Sequence, residues 1–418
     1  MTAGELDAAE LVEAALQALD RHRELNAVIT VCADQALSRA RAGVSGRLAG
    51  VPVLIKDMID TAGIRTTLGS KIYADRVPER SAPAVELLEG EGAIVVGKTN
   101  CDEFAWGVTG HNVHWGDTQN PRLPGRIAGG SSSGNAAALA AEICPITLGS
   151  DTGGSVRMPA ACCGVVGMKP PLDRIPTDGN FPLCPSFDTV GPMAATVADC
   201  ALAYSVLTRE PIPEPRLAGL TVGVLTHRPW VGPPTGEPER DERALLAAAR
   251  LEALGARVLE TELPIPEADT WPVFYAEAAE SHRETFPARR DDYGPTIRAK
   301  LDEAQDVHPD ALAAARAALV SWRERAKQEP DVDLFVSPTL GVSEIPPSDV
   351  DELEIRLNFS AYTRAFSYLG WPAIAIGDLQ LAGRDDTTVL AAALACEQTG
   401  IIAAPSPAAG RAPRARRR

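Results

Sequence analysis

Long apolar runs are missing from this sequence: no stretch of about 18 residues is free of both charge and proline, which removes a membrane-spanning helix. A basic start followed by an apolar segment is missing too. The chain opens on Glu5, Asp7 and Glu10, and the expectation is a cytoplasmic protein without a signal peptide. Histidine is scarce, six in 418 residues, and none stands in a metal-ligand spacing such as His-Glu-x-x-His; no metal and no other cofactor are expected. Cys-x-x-Cys is absent as well, and the eight scattered cysteines read as buried free thiols in a chain too long to need a disulfide scaffold. Positive charge is in deficit. A formal net charge of -16 opposes phosphate backbones, and the one dense basic run is residues 411–418, which argues against nucleic acid as a direct partner. That run follows a Pro/Ala/Gly-rich stretch, and 403–418 reads as a disordered basic tail.

What is present is enough apolar material, 45% of residues, for a large core. Apolar positions at helical spacing mark residues 5–19, and 35–42 reads as a second, shorter helix. From Gly50 the texture changes to short apolar runs bounded by Gly and Pro, at 51–55, 93–96, 146–148, 165–168 and 220–225. Such runs suit strands covered on both faces, and the helical stretches 82–91, 135–142 and 197–207 suit the covering layers. Residues 233–328 turn charged and Ala-rich and read as a helical region, after which apolar runs return at 334–337 and 373–376 and a last helix covers 387–397. The pattern predicts an α/β fold with a large mixed, mostly parallel central sheet and helices on both faces. No internal repeat or flexible linker divides it, and residues 1–402 are expected to form a single domain.

Two motif strings fail on context. Gly92-Ala-Ile-Val-Val-Gly97-Lys98-Thr99 spells a phosphate loop, but its variable positions are a continuous apolar run, which predicts a buried strand ending in a surface Lys98. Gly130-Ser-Ser132-Ser-Gly134 spells a nucleophile elbow, yet the residues before it carry two prolines and two glycines where a strand is required.

Three other segments are unusual together. Lys56 ends an apolar strand, where lost hydration disfavours the ammonium; a lysine there is otherwise simply solvated. Gly129-Gly-Ser131-Ser132-Ser133-Gly134 leads into an Ala-rich helix, with Ser133 a natural N-cap. Gly149-Ser-Asp151-Thr152-Gly153-Gly154-Ser155-Val-Arg157 places two glycines before a serine, a turn whose successive amides can converge on a developing oxyanion, or a plain Gly-rich turn.

In these residues the chain resembles the amidase signature hydrolases. Ser131 precedes Ser155 by 24 positions, and Gly50-Val-Pro-Val-Leu-Ile-Lys56-Asp is similar to the family's lysine segment. Gly97 to Phe104, Gly164 to Pro170, Phe187-Asp-Thr-Val-Gly-Pro192, Ser337-Pro-Thr339 and Gly370-Trp-Pro-Ala373 also correspond, so the likeness spans nearly the whole chain. It implies that Ser155 is the nucleophile, that Ser131, after a cis peptide bond, relays its proton, and that Lys56 is the base. The backbone amides of Thr152, Gly153, Gly154 and Ser155 would form the oxyanion hole. Asp151 and Arg157 would pair to fix the turn, with Arg157 reaching a substrate carboxylate as the other reading, and Ser132 beside them.

The resemblance implies a small-molecule amide substrate cleaved to carboxylate and ammonia or amine, no membrane, and a homodimer as one assembly open to it. In size the chain is similar to compact members such as malonamidase and biuret-type hydrolases. The alternative is the glutamine-hydrolysing component of a glutamyl-tRNA amidotransferase complex, although Asp188-Thr189 stands where that component's pattern has Asp-Gln. Ser367 replaces the asparagine that many relatives carry. A non-catalytic binding protein on the same fold is the third reading, disfavoured by the complete set of Lys56, Ser131 and Ser155.

Overall fold

The apolar runs predicted as strands all join one sheet in a computed structural model of the chain, which describes residues 7–229 and 241–400. In chain order the strands are β1 (Val28–Val31), β2 (Pro52–Lys56), β3 (Ile94–Thr99), β4 (Ile146–Asp151), β5 (Val166–Lys169), β6 (Thr189–Ala194), β7 (Thr221–Val224), β8 (Arg257–Glu260), β9 (Leu334–Pro338), β10 (Ala373–Ile376) and β11 (Leu379–Gly383). Their spatial order is β1-β3-β2-β4-β6-β5-β10-β11-β9-β7-β8. The mixed α/β sheet is as expected, but its parallel majority is not found. Only β2 with β3 and β4, and β7 with β8 and β9, run parallel; the other six pairings are antiparallel. Uninterrupted apolar runs report cover on both faces, and here helices supply that cover whatever the strand direction.

Side chains of β2 show the two faces. Val53 and Ile55 enter the main core with helices Pro83–Gly90 and Val197–Thr208, while Leu54 packs on the other face with helices Ala8–Arg21 and Ser133–Ala140. The helix predicted from residue 5 starts at Ala8, where Asp7 and Glu10 form a capping box. The region predicted to be helical holds helices Glu242–Ala253, Trp271–His282, Pro295–Ala304 and Pro309–Gln328, and also β8, an edge strand beside β7. Strand β6 was hidden by its own Gly191 and Pro192; the ladder to β5 ends at Met193, one residue short of the proline, and burial between two strands overrides the breaker residues. The predicted basic tail lies outside the described residues.

Lys98 is a correction. It is fully buried, and its amine donates to Ile59 O, to Thr61 Oγ1 at 3.0 Å and to Thr66 Oγ1 at 2.9 Å. A local reading stops at the strand end and cannot see the 59–66 loop that folds back over it. Ser133 is likewise no N-cap: the helix begins at that residue, and its hydroxyl pairs with Thr118 Oγ1 at 3.0 Å. All eight cysteines are buried free thiols, as expected, and no described helix is long and apolar enough to cross a membrane.

Candidate active site

Parallel pairing of β2 and β4 brings their carboxyl ends to the same edge of the sheet, the usual place for a site in such folds. Lys56 closes β2 there, and Ser150 and Asp151 close β4. The Lys56 amine, fully buried, lies 2.8 Å from Ser131 Oγ, 3.0 Å from Ser150 Oγ and 3.3 Å from Ser150 O. Burial pushes this amine down to about 8, against the pull of Asp102 and Asp151. The amine donates to all three of these serine oxygens.

The peptide between Gly130 and Ser131 is cis. Gly130 is required for space, because a Cβ there would lie 2.5 Å from Asp102 Oδ1. The Asp102 carboxylate accepts from the Thr109 and Gly110 amides, and Gly130 N–H donates to Val108 O at 2.9 Å, tying the loop to that segment. One further bond fastens the two serine loops together, from Ser132 N–H to Ser155 O at 3.0 Å. The Ser155 hydroxyl has no hydrogen-bond partner among the described residues, and the residue is 6% exposed and lines a cleft that opens to solvent.

Arg157 holds the turn that carries Ser155. Its side chain and that of Asp151 are both wholly buried and pair at 2.9 Å. All five guanidinium N–H groups are taken: two by Asp151, one by Thr363 O at 2.9 Å, one by Gln380 Oε1 at 2.7 Å and one by Ser367 Oγ at 2.7 Å. No donor is left for a substrate carboxylate, which removes that reading of Arg157. Ser367 therefore sits behind the turn, not in the cleft wall. Burial acts to raise the Asp151 carboxyl, but the charge and hydrogen bonds of Arg157, with Lys169 and the Val156 amide, together outweigh it and hold the group below the usual carboxylate range.

Gly154 is a further correction. Its amide donates to Asp151 Oδ1 at 2.7 Å and is not free for an oxyanion. The amides of Thr152, Gly153 and Ser155 have no partner among the described residues. Gly154 has φ +130°, and a Cβ on it would lie 2.2 Å from Thr363 Oγ1, which itself donates to Gly153 O at 2.7 Å. Thr152 is anchored through its hydroxyl to Asp188, whose other oxygen accepts from the Leu183 and Cys184 amides. Burial pushes the Asp188 carboxyl up to about 6. Sequence reasoning missed Ser150, Thr363, Gln380 and Asp102; Ser150, inside the Gly-rich run, and Asp102, inside the corresponding segment Gly97 to Phe104, carried a local signal.

A family model described as Amidase matches residues 10–385. The chain belongs to the amidase signature family. It is an amidohydrolase of that family, acting on C–N bonds. The glutamyl-tRNA(Gln) amidotransferase A-type subunit of Akkermansia muciniphila is 32% identical over 419 aligned residues, covering 89% of this chain and 88% of that protein. Among solved amidase signature structures, 6-aminohexanoate cyclic dimer hydrolase superposes with a TM-score of 0.83 at 27% identity, covering 96% of this chain and 94% of the other. Peptide amidase from Stenotrophomonas maltophilia gives a TM-score of 0.77 at 28% identity, covering 96% and 95%.

Proposed function

We propose that this amidohydrolase cleaves small amides through an acyl-enzyme on Ser155. The observation that carries the reading is the buried Lys56 amine at 2.8 Å from Ser131 Oγ, in a loop bonded to the Ser155 backbone. Neutral Lys56 takes the Ser131 proton as Ser131 takes that of Ser155, and Ser155 Oγ bonds to the amide carbon. Charge moves onto the carbonyl oxygen, where the Thr152, Gly153 and Ser155 amides are unengaged donors. The relay then returns the proton to the departing nitrogen, the C–N bond breaks, and water entering the cleft cleaves the ester by the same path, releasing the carboxylate and restoring Ser155.

A second reading, the glutamine-hydrolysing component of an amidotransferase, is favoured by the 32% identical relative from Akkermansia muciniphila. Ammonia release from short amides, ureido compounds and glutamine by the isolated chain separates the two, since turnover of simple amides without a partner supports the free-standing enzyme. A fluorophosphonate is expected to label Ser155, and Ser155→Ala to lose both label and turnover. Labelling of the Ser155→Ala chain at full stoichiometry would remove Ser155 as nucleophile.

A further inference from the structure

We propose that Asp102 is a positioning residue for the reaction: from behind the Ser131 loop, its buried carboxylate keeps that loop seated against the Lys56 amine and sets a negative charge within electrostatic reach of the amine. This rests on the acyl-enzyme reading and adds a residue to it. Asp102 follows the end of β3, the strand that pairs with β2 so that Thr99 stands opposite Lys56. The residue is 2% exposed, and its oxygens accept from the Thr109 amide at 3.3 Å and the Gly110 amide at 3.1 Å; no described cation donates to it. A buried carboxylate served only by backbone amides costs stability, and such groups concentrate where chemistry uses them.

Three links run from this segment to the Ser131 loop. Val108 O accepts from Gly130 N–H at 2.9 Å and Asn100 O accepts from Gly134 N–H at 3.0 Å, so the loop is gripped on both sides of Ser131. Gly110 O accepts from the Thr118 amide at 3.1 Å, and the Thr118 hydroxyl meets the Ser133 hydroxyl at 3.0 Å. By holding the amides of Thr109 and Gly110, Asp102 fastens the first and third of these links. Glycine lies on both sides of its carboxylate: a Cβ on Gly130 would stand 2.5 Å from Oδ1, and one on Gly107 would overlap Oδ2. Carboxylate and loop therefore touch with no side chain between them. The other ionisable groups around the Lys56 amine are Asp151, Asp188 and the Cys101 thiol, which burial keeps neutral; around Asp102 they are Glu352, Lys300, His111 and the same thiol. Burial and the Glu352 charge push the Asp102 carboxyl up to about 7, still below the value of about 8 for the amine, so it is ionised where Lys56 gives up its proton. Negative charge there favours the ammonium, and its removal lets the amine lose its proton at lower pH.

The test is the rate at which a fluorophosphonate labels Ser155 in the full chain from about pH 6 to about pH 10, beside ammonia release from a short primary amide. Asp102→Asn keeps the shape and leaves one oxygen able to accept from both amides, but removes the charge. It is expected to move the acid limb of both profiles to lower pH by roughly one pH unit, the lower end for a nearby opposite charge, with the alkaline plateau within about tenfold of the wild type. Asp102→Ala also frees the Thr109 and Gly110 amides, and should show the same shift with a plateau lower by roughly 100-fold, the scale of a misplaced reacting group. Thr118→Val cuts the link to Ser133 and leaves the charge in place, so its plateau should fall roughly three- to tenfold with the limb unmoved. A limb that stays in place or moves to higher pH in Asp102→Asn overturns the proposal, as does an Asp102→Ala chain at the wild-type plateau. If neither Asp102 variant folds, Thr118→Val decides, and an unchanged plateau overturns the proposal. A wild type that is neither labelled nor active, or is labelled with no acid limb at all, strikes the acyl-enzyme reading instead.

Discussion

Lys56 and Lys98 end neighbouring parallel strands in almost the same register, Lys56 opposite Thr99 and Lys98 opposite Ile55. Both are fully buried, and burial pushes each amine down to about 8. The difference lies in what surrounds the nitrogen. Lys98 is enclosed by a carbonyl and two threonine hydroxyls, which in turn donate to carbonyls of their own loop, beside the buried Asp57. Lys56 meets Ser131, a hydroxyl on a loop bonded to the Ser155 backbone. A depressed amine is thus common to both lysines; in the proposed mechanism it is the hydroxyl partner that sets Lys56 apart as the base.

Substituting the two lysines should break the symmetry most visibly. Lys56→Met is expected to lower kcat/KM by roughly 100- to 10,000-fold, the range for a lost general base, in a chain that still melts cooperatively. An unchanged rate would remove Lys56 as base. A smaller effect sharpens the same contrast through pH. In the proposed mechanism the neutral amine is the active form and its population rises through about 8, so kcat/KM should fall about tenfold per pH unit below that value and level off above it. That limb should vanish from the residual activity of Lys56→Met and persist in Lys98→Met; a profile that rises toward acid would contradict the sign. The least effect on turnover is expected for Lys98→Met itself. Leaving Ile59 O, Thr61 and Thr66 without their donor should lower stability by roughly 1 to 3 kcal/mol, read by denaturant unfolding, with specific activity of the folded chain within about a factor of two.

Periodicity in the chain was enough to determine the α/β class and the apolar strands β2, β3, β4, β5, β7, β9 and β10, because each of these is written in residues adjacent in sequence, whereas the set Lys56, Ser131 and Ser155 is what the resemblance to the amidase signature hydrolases implied. Strands β6 and β11 were not readable, since Pro192, Gly191 and Gln380 look like loop residues until neighbouring strands bury them. Tertiary structure alone decided the burial of Lys98, the engagement of the Gly154 amide and the saturation of Arg157 by Thr363, Ser367 and Gln380, partners more than 200 positions away. It also decided that Arg364 faces Trp271 with no described carboxylate in ion-pair reach. Hydrogen bonds and charge compensation depend on distance in space, and local pattern carries no record of which remote segment will arrive.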